Sequence, residues 1–311
     1  MRLKARPDPL YWLVPRVALA AFVLTVLLVG RLAPAAGELP YGQGLLWKLE
    51  RPGLAPSYLF GTIHITDQRV LDLPPEVERA FDASRSAIFE VIMTDDLRTR
   101  LARAMVLRDG RTLDTILSPE LYREAMAAGA RYGLGPEQLK FLKPWALAMF
   151  FSVPQVELAR SATGQVPLDQ WLQNQARAQG KPVYALETGA EQIALFDELT
   201  EADQLAMLES AIQDNAEIEA LFEDMTARYL ARDIGGIHTQ MMMQSKSMNE
   251  QLLKLFLLRF NEARNRTMAA RLVERLAEGG AFVAVGALHL PGETGLVSLL
   301  ADQGYRVERA Y

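Results

Sequence analysis

The amino-acid sequence predicts a mixed α/β domain that carries a large helical insertion. Short apolar runs rich in aromatic and β-branched residues, which are typical of buried strands, occur near both ends of the 311-residue chain. Long segments with helical periodicity lie between them. Half of the residues are hydrophobic, which is enough to build a sizeable core. Cysteine is absent, so disulfides, thiolate metal sites and a cysteine nucleophile are excluded.

Six strands are predicted along the chain. The Pro52-Gly53 pair between the first two is a turn signal and indicates a β-hairpin. The six strands are Trp47–Glu50, Ser57–Ile65, Ala87–Val91, Pro182–Leu186, Ala281–Val285 and Tyr305–Glu308.

Helical periodicity is found through most of the chain between the third and fourth strands and between the fourth and fifth strands. This helical insertion covers about residues 95–180 and 201–278, with a break expected at Gly235-Gly236. Helix starts with Pro in the first turn are expected at Ser118-Pro119, Gly135-Pro136 and Pro167-Leu168. Two further helices are expected at Glu76–Ala83 and Glu293–Gln303.

The first 36 residues have the pattern of a secretory signal peptide or an N-terminal membrane anchor. Basic residues precede the uncharged stretch Val17 to Gly30, and Ala33-Pro34-Ala35 resembles a cleavage tripeptide. The apolar run Leu10 to Val14 would help an uncleaved segment to span a bilayer. We expect export, with the rest of the chain in the periplasm or anchored to a membrane and facing away from the cytoplasm. Residues 37–311 then form a single domain.

Charge excludes one class of partner. The chain has 33 basic and 38 acidic residues, and five of the basic ones against one acidic residue lie within residues 1–31. The remainder is therefore distinctly acidic, and it contains no cluster of Lys and Arg with interleaved aromatic residues. Nucleic acid is not an expected partner.

Two of the three histidines close the same phrase, Gly-x-x-His, at the ends of predicted strands. Gly61 precedes His64, and Gly286 precedes His289. A glycine at such a place lets the backbone bend or approach another strand closely. Ligands of α/β sheets bind at the carboxyl ends of strands, and histidine is suited to bind a metal or move a proton near neutral pH. The repeated phrase therefore indicates a shared site, with two satisfied core histidines as the alternative.

Glutamates follow two other predicted strands, at Glu90 and Glu187. A buried glutamate needs a charged partner or a cation, whereas a position at the solvent rim needs neither. With His64 and His289, the glutamates suggest a cluster of two imidazoles and two carboxylates. This donor set suits Zn, Mn, Co or Fe.

Other polar residues carry weaker signals. Arg264 and Arg266 lie on a predicted helix that leads to the fifth strand. They form either a solvated basic face or a guanidinium that orients a carboxylate or a substrate carbonyl. His238 has the Gly-x-x-His spacing, but no strand precedes it, so it is assigned to a helix surface or a break. No Gly-x-Ser-x-Gly elbow, phosphate-binding Gly-rich loop or His-Glu-x-x-His motif is present.

Several of these segments, in this order, resemble the TraB/GumN family, whose superfamily includes the Tiki metalloproteases. The ordered set, from about Leu46 to Tyr305, is more specific than any one of its pieces. The matching pieces are Leu59 to His64, Leu73-Pro74, Phe89-Glu90, Tyr184 to Thr188 with Glu191-Gln192, Ala263 to Asn265 with Met268, and Val285 to Leu290 with Gly292 and Gly295-Leu296.

The resemblance implies an erythromycin-esterase-like, or ChaN-like, α/β core with a helical insertion. It also implies a site formed by both Gly-x-x-His motifs and acidic residues. Characterised members are divalent-metal-dependent proteases, so the resemblance implies a divalent metal (Mn, Co or Zn) and a peptide or protein substrate.

We therefore expect an exported metal-dependent hydrolase, and specifically a peptidase. His64 and His289 would bind the metal, with Glu90 and Glu187 as ligand or base, and Arg264 would steady a carboxylate or the developing oxyanion. Two alternatives stay open. One is a metal-free esterase-like hydrolase in which His and Glu serve as acid and base. The other is a binding or regulatory protein that sequesters a peptide, metal or haem at the membrane.

Overall fold

A six-stranded mixed sheet forms the centre of the computed structural model, which describes residues 39–244, 254–255 and 257–311. The expected signal peptide or anchor, residues 1–36, lies outside the described residues. In chain order the strands are β1 (Leu46–Glu50), β2 (Ser57–Thr62), β3 (Ser86–Phe89), β4 (Val183–Ala185), β5 (Ala281–Gly286) and β6 (Arg306–Arg309).

The sheet order, β4-β3-β5-β2-β1-β6, places the first strand, β1, beside the last, β6. Four neighbouring strands, β4, β3, β5 and β2, run parallel, so their carboxyl ends meet at one edge of the sheet. The expected hairpin is confirmed, because β1 pairs antiparallel with β2. All six residues of β5 are buried, as is usual for a central parallel strand.

Helices make up most of the described residues in the two ranges expected for the helical insertion. Those before β4 are α1 (Gln68–Leu71), α2 (Pro75–Ala83), α3 (Asp95–Ala104), α4 (Leu113–Ile116), α5 (Pro119–Arg131), α6 (Pro136–Leu139), α7 (Pro144–Phe151), α8 (Gln155–Ala162) and α9 (Leu168–Ala178). Those after β4 are α10 (Gly189–Asp197), α11 (Glu201–Asp214), α12 (Ile218–Leu230), α13 (Ile234–Gln244), α14 (Ala263–Ala277) and α15 (Leu296–Asp302). A π-helix at Leu257–Glu262 leads directly into α14. None of the described helices is long and apolar enough to cross a membrane.

The break expected at Gly235-Gly236 is in the wrong place. Both glycines lie inside α13, and the chain turns just before it, at Arg232, which has φ = 62°. The Asp233 side chain accepts a hydrogen bond from the Gly236 N–H at 2.8 Å and so caps the helix. A short polar cap, rather than the glycine pair, therefore sets this boundary.

The second strand is shorter than expected, because it ends at Thr62 and not at Ile65. Beyond it, the Thr66 N–H and hydroxyl both donate to the buried Glu157 carboxylate at 2.7 Å. This pair of hydrogen bonds ties the segment after β2 to α8 and leads it away from the sheet. His64 therefore lies on a fixed loop at the carboxyl edge, two residues past the strand.

Asp214, the last residue of α11, has a raised pKa that provides a test of the packing in the helical insertion. Burial, reinforced by the charge of Glu217, raises the pKa of Asp214 from 3.8 to about 6, against a hydrogen bond from Ser210. The folded protein thus binds this proton more tightly than the unfolded chain does, so stability is lost as the pH rises through about 6. We expect Asp214→Asn to raise the free energy of unfolding by about 1 kcal/mol at pH 8 and to leave it unchanged at pH 4.

Urea unfolding at the two pH values measures this difference. Asp302→Asn is the control, since Asp302 is exposed and also ends a helix. An equal change at pH 8 and pH 4 for Asp214→Asn would contradict the assignment.

Candidate functional site

The carboxyl ends of the four parallel strands bring the five residues expected in the site into one buried cluster. His64 follows β2, Glu90 directly follows β3, Glu187 follows β4, and His289 ends the short 3₁₀ turn after β5. Arg264 reaches the same place from the first turn of α14. These five side chains, the site cluster, are between 2% and 6% exposed.

Arg264 lies between the two glutamates. Its Nη2 donates to Glu90 Oε2 and to Glu187 Oε2, each at 2.6 Å, and its Nε donates to Glu187 Oε1 at 2.9 Å. Its Nη1 donates to the Phe260 carbonyl at 3.2 Å and faces His289 Nε2 at 3.1 Å. A buried guanidinium needs partners for all its N–H groups, and here each of its three nitrogens has at least one.

The charges of this cluster determine its protonation. Burial raises the pKa of Glu90, but the charge of the Arg264 guanidinium acts against burial, and the pKa stays well below its usual range. The Gly286 N–H, which donates to Glu90 Oε1 at 2.6 Å, acts in the same direction. Burial likewise lowers the pKa of Arg264, and the two glutamates reverse this and raise it. The arginine and Glu90 are therefore both ionised at neutral pH.

His64 is oriented by a carboxylate. Its Nδ1–H donates to Asp169 Oδ2 at 2.5 Å, and the Thr62 hydroxyl also donates to Asp169. Burial lowers the pKa of His64, but Asp169, through its charge and its hydrogen bond, raises it above 6.5, and Glu90 adds to this effect. The bond at Nδ1 turns Nε2 of this ring toward the site cluster.

His289 is oriented by an amide instead. Its Nδ1–H donates to Asn265 Oδ1 at 2.6 Å, and Asn265 is fully buried. Burial lowers the pKa of His289 to about 3, helped by Arg264 and opposed by Glu90. The ring is therefore neutral, and its Nε2 carries a lone pair that lies 3.6 Å from Glu90 Oε1.

A cavity of about 20 Å³, enough for about one water molecule, lies beside these groups. His64, Glu90 and His289 are the site-cluster residues that line it. The other lining residues are Thr62, Ile63, Tyr229, Ile237, Asn261, Gly286, Ala287 and Leu288.

The two motif glycines have different tasks. A Cβ on Gly61 would lie 3.0 Å from the Ala287 Cα, so Gly61 permits the close approach of β2 to the turn that carries His289. A Cβ on Gly286 would lie 3.2 Å from Glu90 Oε1, 3.6 Å from His289 Cδ2 and 3.9 Å from His64 Nε2. Gly286 therefore leaves open a space that both histidines and Glu90 surround.

Comparison with known proteins decides the family. The family model described as the TraB/PrgY/gumN family matches residues 45–309. This range includes the whole sheet and every residue of the site cluster. The chain belongs to this family.

Individual members of the TraB/PrgY/gumN family are only distantly similar. "Metalloprotease TIKI2" of Danio rerio is 28% identical over 86% of this chain and 61% of its own length. "Metalloprotease TIKI1" of Homo sapiens is 24% identical over 90% of this chain and 64% of its own length. "Uncharacterized protein YbaP" of Shigella flexneri is 26% identical over 80% of this chain and 89% of its own length.

The chain thus spans about three fifths of the length of the TIKI relatives. No solved structure matches it significantly. The family and the mixed α/β class are confirmed, whereas the erythromycin-esterase-like or ChaN-like core stays a prediction.

Two residues weighed in the sequence lie outside the site cluster. His238 is half-buried on α13, as expected for a helix position, and burial lowers its pKa. Arg266 is an exposed partner of Glu262 at 3.2 Å, which fits a solvated basic face. Of the two arginines, only Arg264 contacts the carboxylates of the site cluster.

Asp169 was not found by the sequence analysis, and Asn265 was quoted there only as part of a motif. Asp169 lies in the first turn of α9, where acidic residues are common because the helix dipole favours them. Its position therefore gave no sign of a contact with His64, 105 residues away.

The fit of a divalent metal depends on the donor atoms of the site cluster. Among the described residues, no group of three or more His, Asp or Glu side chains is arranged so that it could hold a metal ion. By chemical type alone, two imidazoles and a carboxylate suit such an ion. Glu90 Oε1 and His64 Nε2 lie beside the space next to Gly286, and His289 Nε2 lies 3.6 Å from Glu90 Oε1. Glu187 fits less well as a ligand, since it is not among the residues that line the cavity, whereas Glu90 is.

Gly286→Ala tests the space between these atoms. Gly286 has φ = −53°, so alanine introduces no backbone strain. Its methyl group, however, would occupy the space beside Glu90 Oε1. We expect affinity for Mn²⁺, Co²⁺ or Zn²⁺ to fall at least about tenfold, with a change of less than about 1 kcal/mol in the free energy of unfolding. Gly135→Ala is the control, because its Cβ would meet only Gln138 Oε1, at 3.7 Å. Unchanged metal affinity in Gly286→Ala would contradict this use of the space.

Proposed function

We propose that this protein is an exported or membrane-anchored metal-dependent peptidase. The site cluster would provide the metal ligands, and a peptide or protein would be the substrate. Support comes from the names of the TIKI relatives, which are metalloproteases, and from the geometry of the two histidines. Export, and contact with a membrane if the N-terminal segment is uncleaved, rest on the sequence of residues 1–36.

One observation carries the proposal. Each histidine of the site cluster donates its Nδ1–H to a buried acceptor, Asp169 for His64 and Asn265 for His289. This leaves both Nε2 atoms directed toward the same space. Metal-binding histidines have this arrangement, because an acceptor on one nitrogen fixes the tautomer and the ring for a metal at the other.

The proposed ligands are His64 Nε2, His289 Nε2 and Glu90 Oε1. The lowered pKa of Glu90 favours a ligand over a general base, since an ionised carboxylate binds a cation but accepts a proton weakly. When bound, a divalent ion would lower the pKa of a water molecule and polarise the scissile carbonyl. A general-base role for Glu187 stays a prediction.

Arg264 supports the ligands in this proposal. It holds the Glu90 and Glu187 carboxylates in place, and its Nη1 bond to His289 Nε2 would be replaced by the bond from that nitrogen to the ion. Because its donors are already engaged, we favour its role in steadying carboxylates over a role in binding the developing oxyanion.

A metal-free hydrolase is the second candidate, and one observation favours it. Arg264 already supplies the positive charge between the two carboxylates and also contacts His289. In that case Glu90 and the two histidines would act on a substrate without an ion.

Metal analysis of the full-length protein separates these candidates. We expect about one Mn²⁺, Co²⁺ or Zn²⁺ per chain, and a loss of at least about tenfold in affinity in His64→Ala and His289→Ala. His238→Ala is the matched control, because His238 lies outside the site cluster, and it should bind as the wild type does. Peptide hydrolysis should stop with chelator and return with the metal.

Three results would change the conclusion. Hydrolysis that is insensitive to chelator in metal-free protein would favour the metal-free hydrolase. Binding of peptides without turnover, across peptide and ester libraries, would favour a sequestering protein. Loss of metal in His238→Ala alone would place the site elsewhere.

A further inference from the structure

Asn261 belongs to a hydrogen-bond relay that ends on His289. It lies in the π-helix Leu257–Glu262, one turn before Asn265, and it lines the cavity of the site. Single π-helical turns are rare and occur often at functional sites. Neither the motifs quoted from the sequence nor the proposed ligand set includes this residue.

The orientation of both amides follows from backbone carbonyls, which only accept hydrogen bonds. Asn261 Nδ2 donates to the Leu288 carbonyl at 2.9 Å, so Asn261 Oδ1 is turned toward Asn265. Asn265 Nδ2 donates to Asn261 Oδ1 at 3.0 Å and to the Thr294 carbonyl at 2.9 Å. Both N–H groups of Asn265 are then used, and its Oδ1 is left for His289.

The relay therefore specifies a tautomer. Asn265 Oδ1 can only accept, so the nitrogen of His289 that it meets at 2.6 Å, Nδ1, carries the proton. The other nitrogen, Nε2, keeps its lone pair, which agrees with the Arg264 Nη1–H that faces it. We propose that Asn261 is a positioning residue that fixes the orientation of Asn265 and, through it, the tautomer and place of His289.

Asn261 also holds the turn itself. The Leu288 carbonyl that it binds belongs to the residue before His289, and the Thr294 carbonyl that Asn265 binds follows five residues later. The two amides thus hold the chain on both sides of His289. The use of this tautomer for metal binding rests on the proposed function, whereas the tautomer itself can be measured without a metal or a substrate.

Nitrogen NMR tests the relay in the full-length, metal-free protein. With ¹⁵N-labelled histidine, three rings are observed, and long-range proton–nitrogen correlations report which nitrogen of each is protonated. At pH 8 we expect His289 to be the Nδ1–H tautomer in the wild type. In Asn261→Leu, which removes the donor and the acceptor, a measurable share of His289 should shift to the Nε2–H tautomer. His64, held by Asp169, should not change.

A second variant distinguishes the loss of the hydrogen bonds from a change in side-chain volume or shape. Asn261→Asp still accepts from Asn265 Nδ2 in either protonation state, so it should keep the wild-type tautomer of His289. Asn174→Leu is the control, because Asn174 is exposed on α9. Metal titration gives an independent readout, with an affinity about tenfold weaker in Asn261→Leu. If Asn261→Leu does not fold, Asn261→Ala takes its place.

Three outcomes would overturn the proposal. They are an Nε2–H tautomer of His289 in the wild type, an unchanged tautomer in a folded Asn261→Leu or Asn261→Ala protein, and an equal shift in Asn261→Asp. Failure of the wild type to bind any metal would count against the proposed function alone, since the tautomers are measured in metal-free protein.

Discussion

The buried contact of Arg264 with Glu90 and Glu187 is the interaction on which the site depends. Two carboxylates held close together inside a protein repel one another and lose their hydration. One guanidinium that donates to both at 2.6 Å removes that repulsion. Breaking such a buried contact by removing one partner typically costs about 3–5 kcal/mol, so the sheet edge and the site depend on the same arginine.

The same contact links three parts of the chain that are far apart in sequence. Glu90 follows β3, and Glu187 follows β4. Arg264 lies in the first turn of α14, directly after the π-helix. The large helical insertion therefore supplies two residues of the site, Arg264 and Asp169. Both contact residues that follow strands formed by other segments. The sheet positions the histidines and glutamates, and the helices orient them.

The sequence was sufficient for the residues that follow strands. Each of His64, Glu90, Glu187 and His289 comes soon after a short apolar run, and parallel strands place such positions at a common edge. For Arg264 the sequence left two interpretations open, a solvated basic face and a guanidinium that orients a carboxylate. The burial of its side chain decides for the second.

The residues that orient the site could not be predicted in the same way. Asp169 and Asn261 lie on helices where an acid or an amide has ordinary local reasons to occur, and their contacts join segments that periodicity does not relate. The end of β2 and the start of α13 were missed for a similar reason, because the hydrogen bonds that the Glu157 and Asp233 carboxylates accept set these boundaries. Local pattern thus predicts which residues reach the site, and long-range hydrogen bonds decide how each side chain is turned.

Anomalous diffraction from crystals grown with Co²⁺ tests whether the site cluster binds a metal ion. Data collected at the cobalt absorption edge should show one strong peak about 2.0–2.3 Å from both His64 Nε2 and His289 Nε2, with Glu90 as a further ligand. A cobalt peak that contacts neither histidine, or no peak between them at a cobalt concentration that saturates binding in solution, would contradict the account.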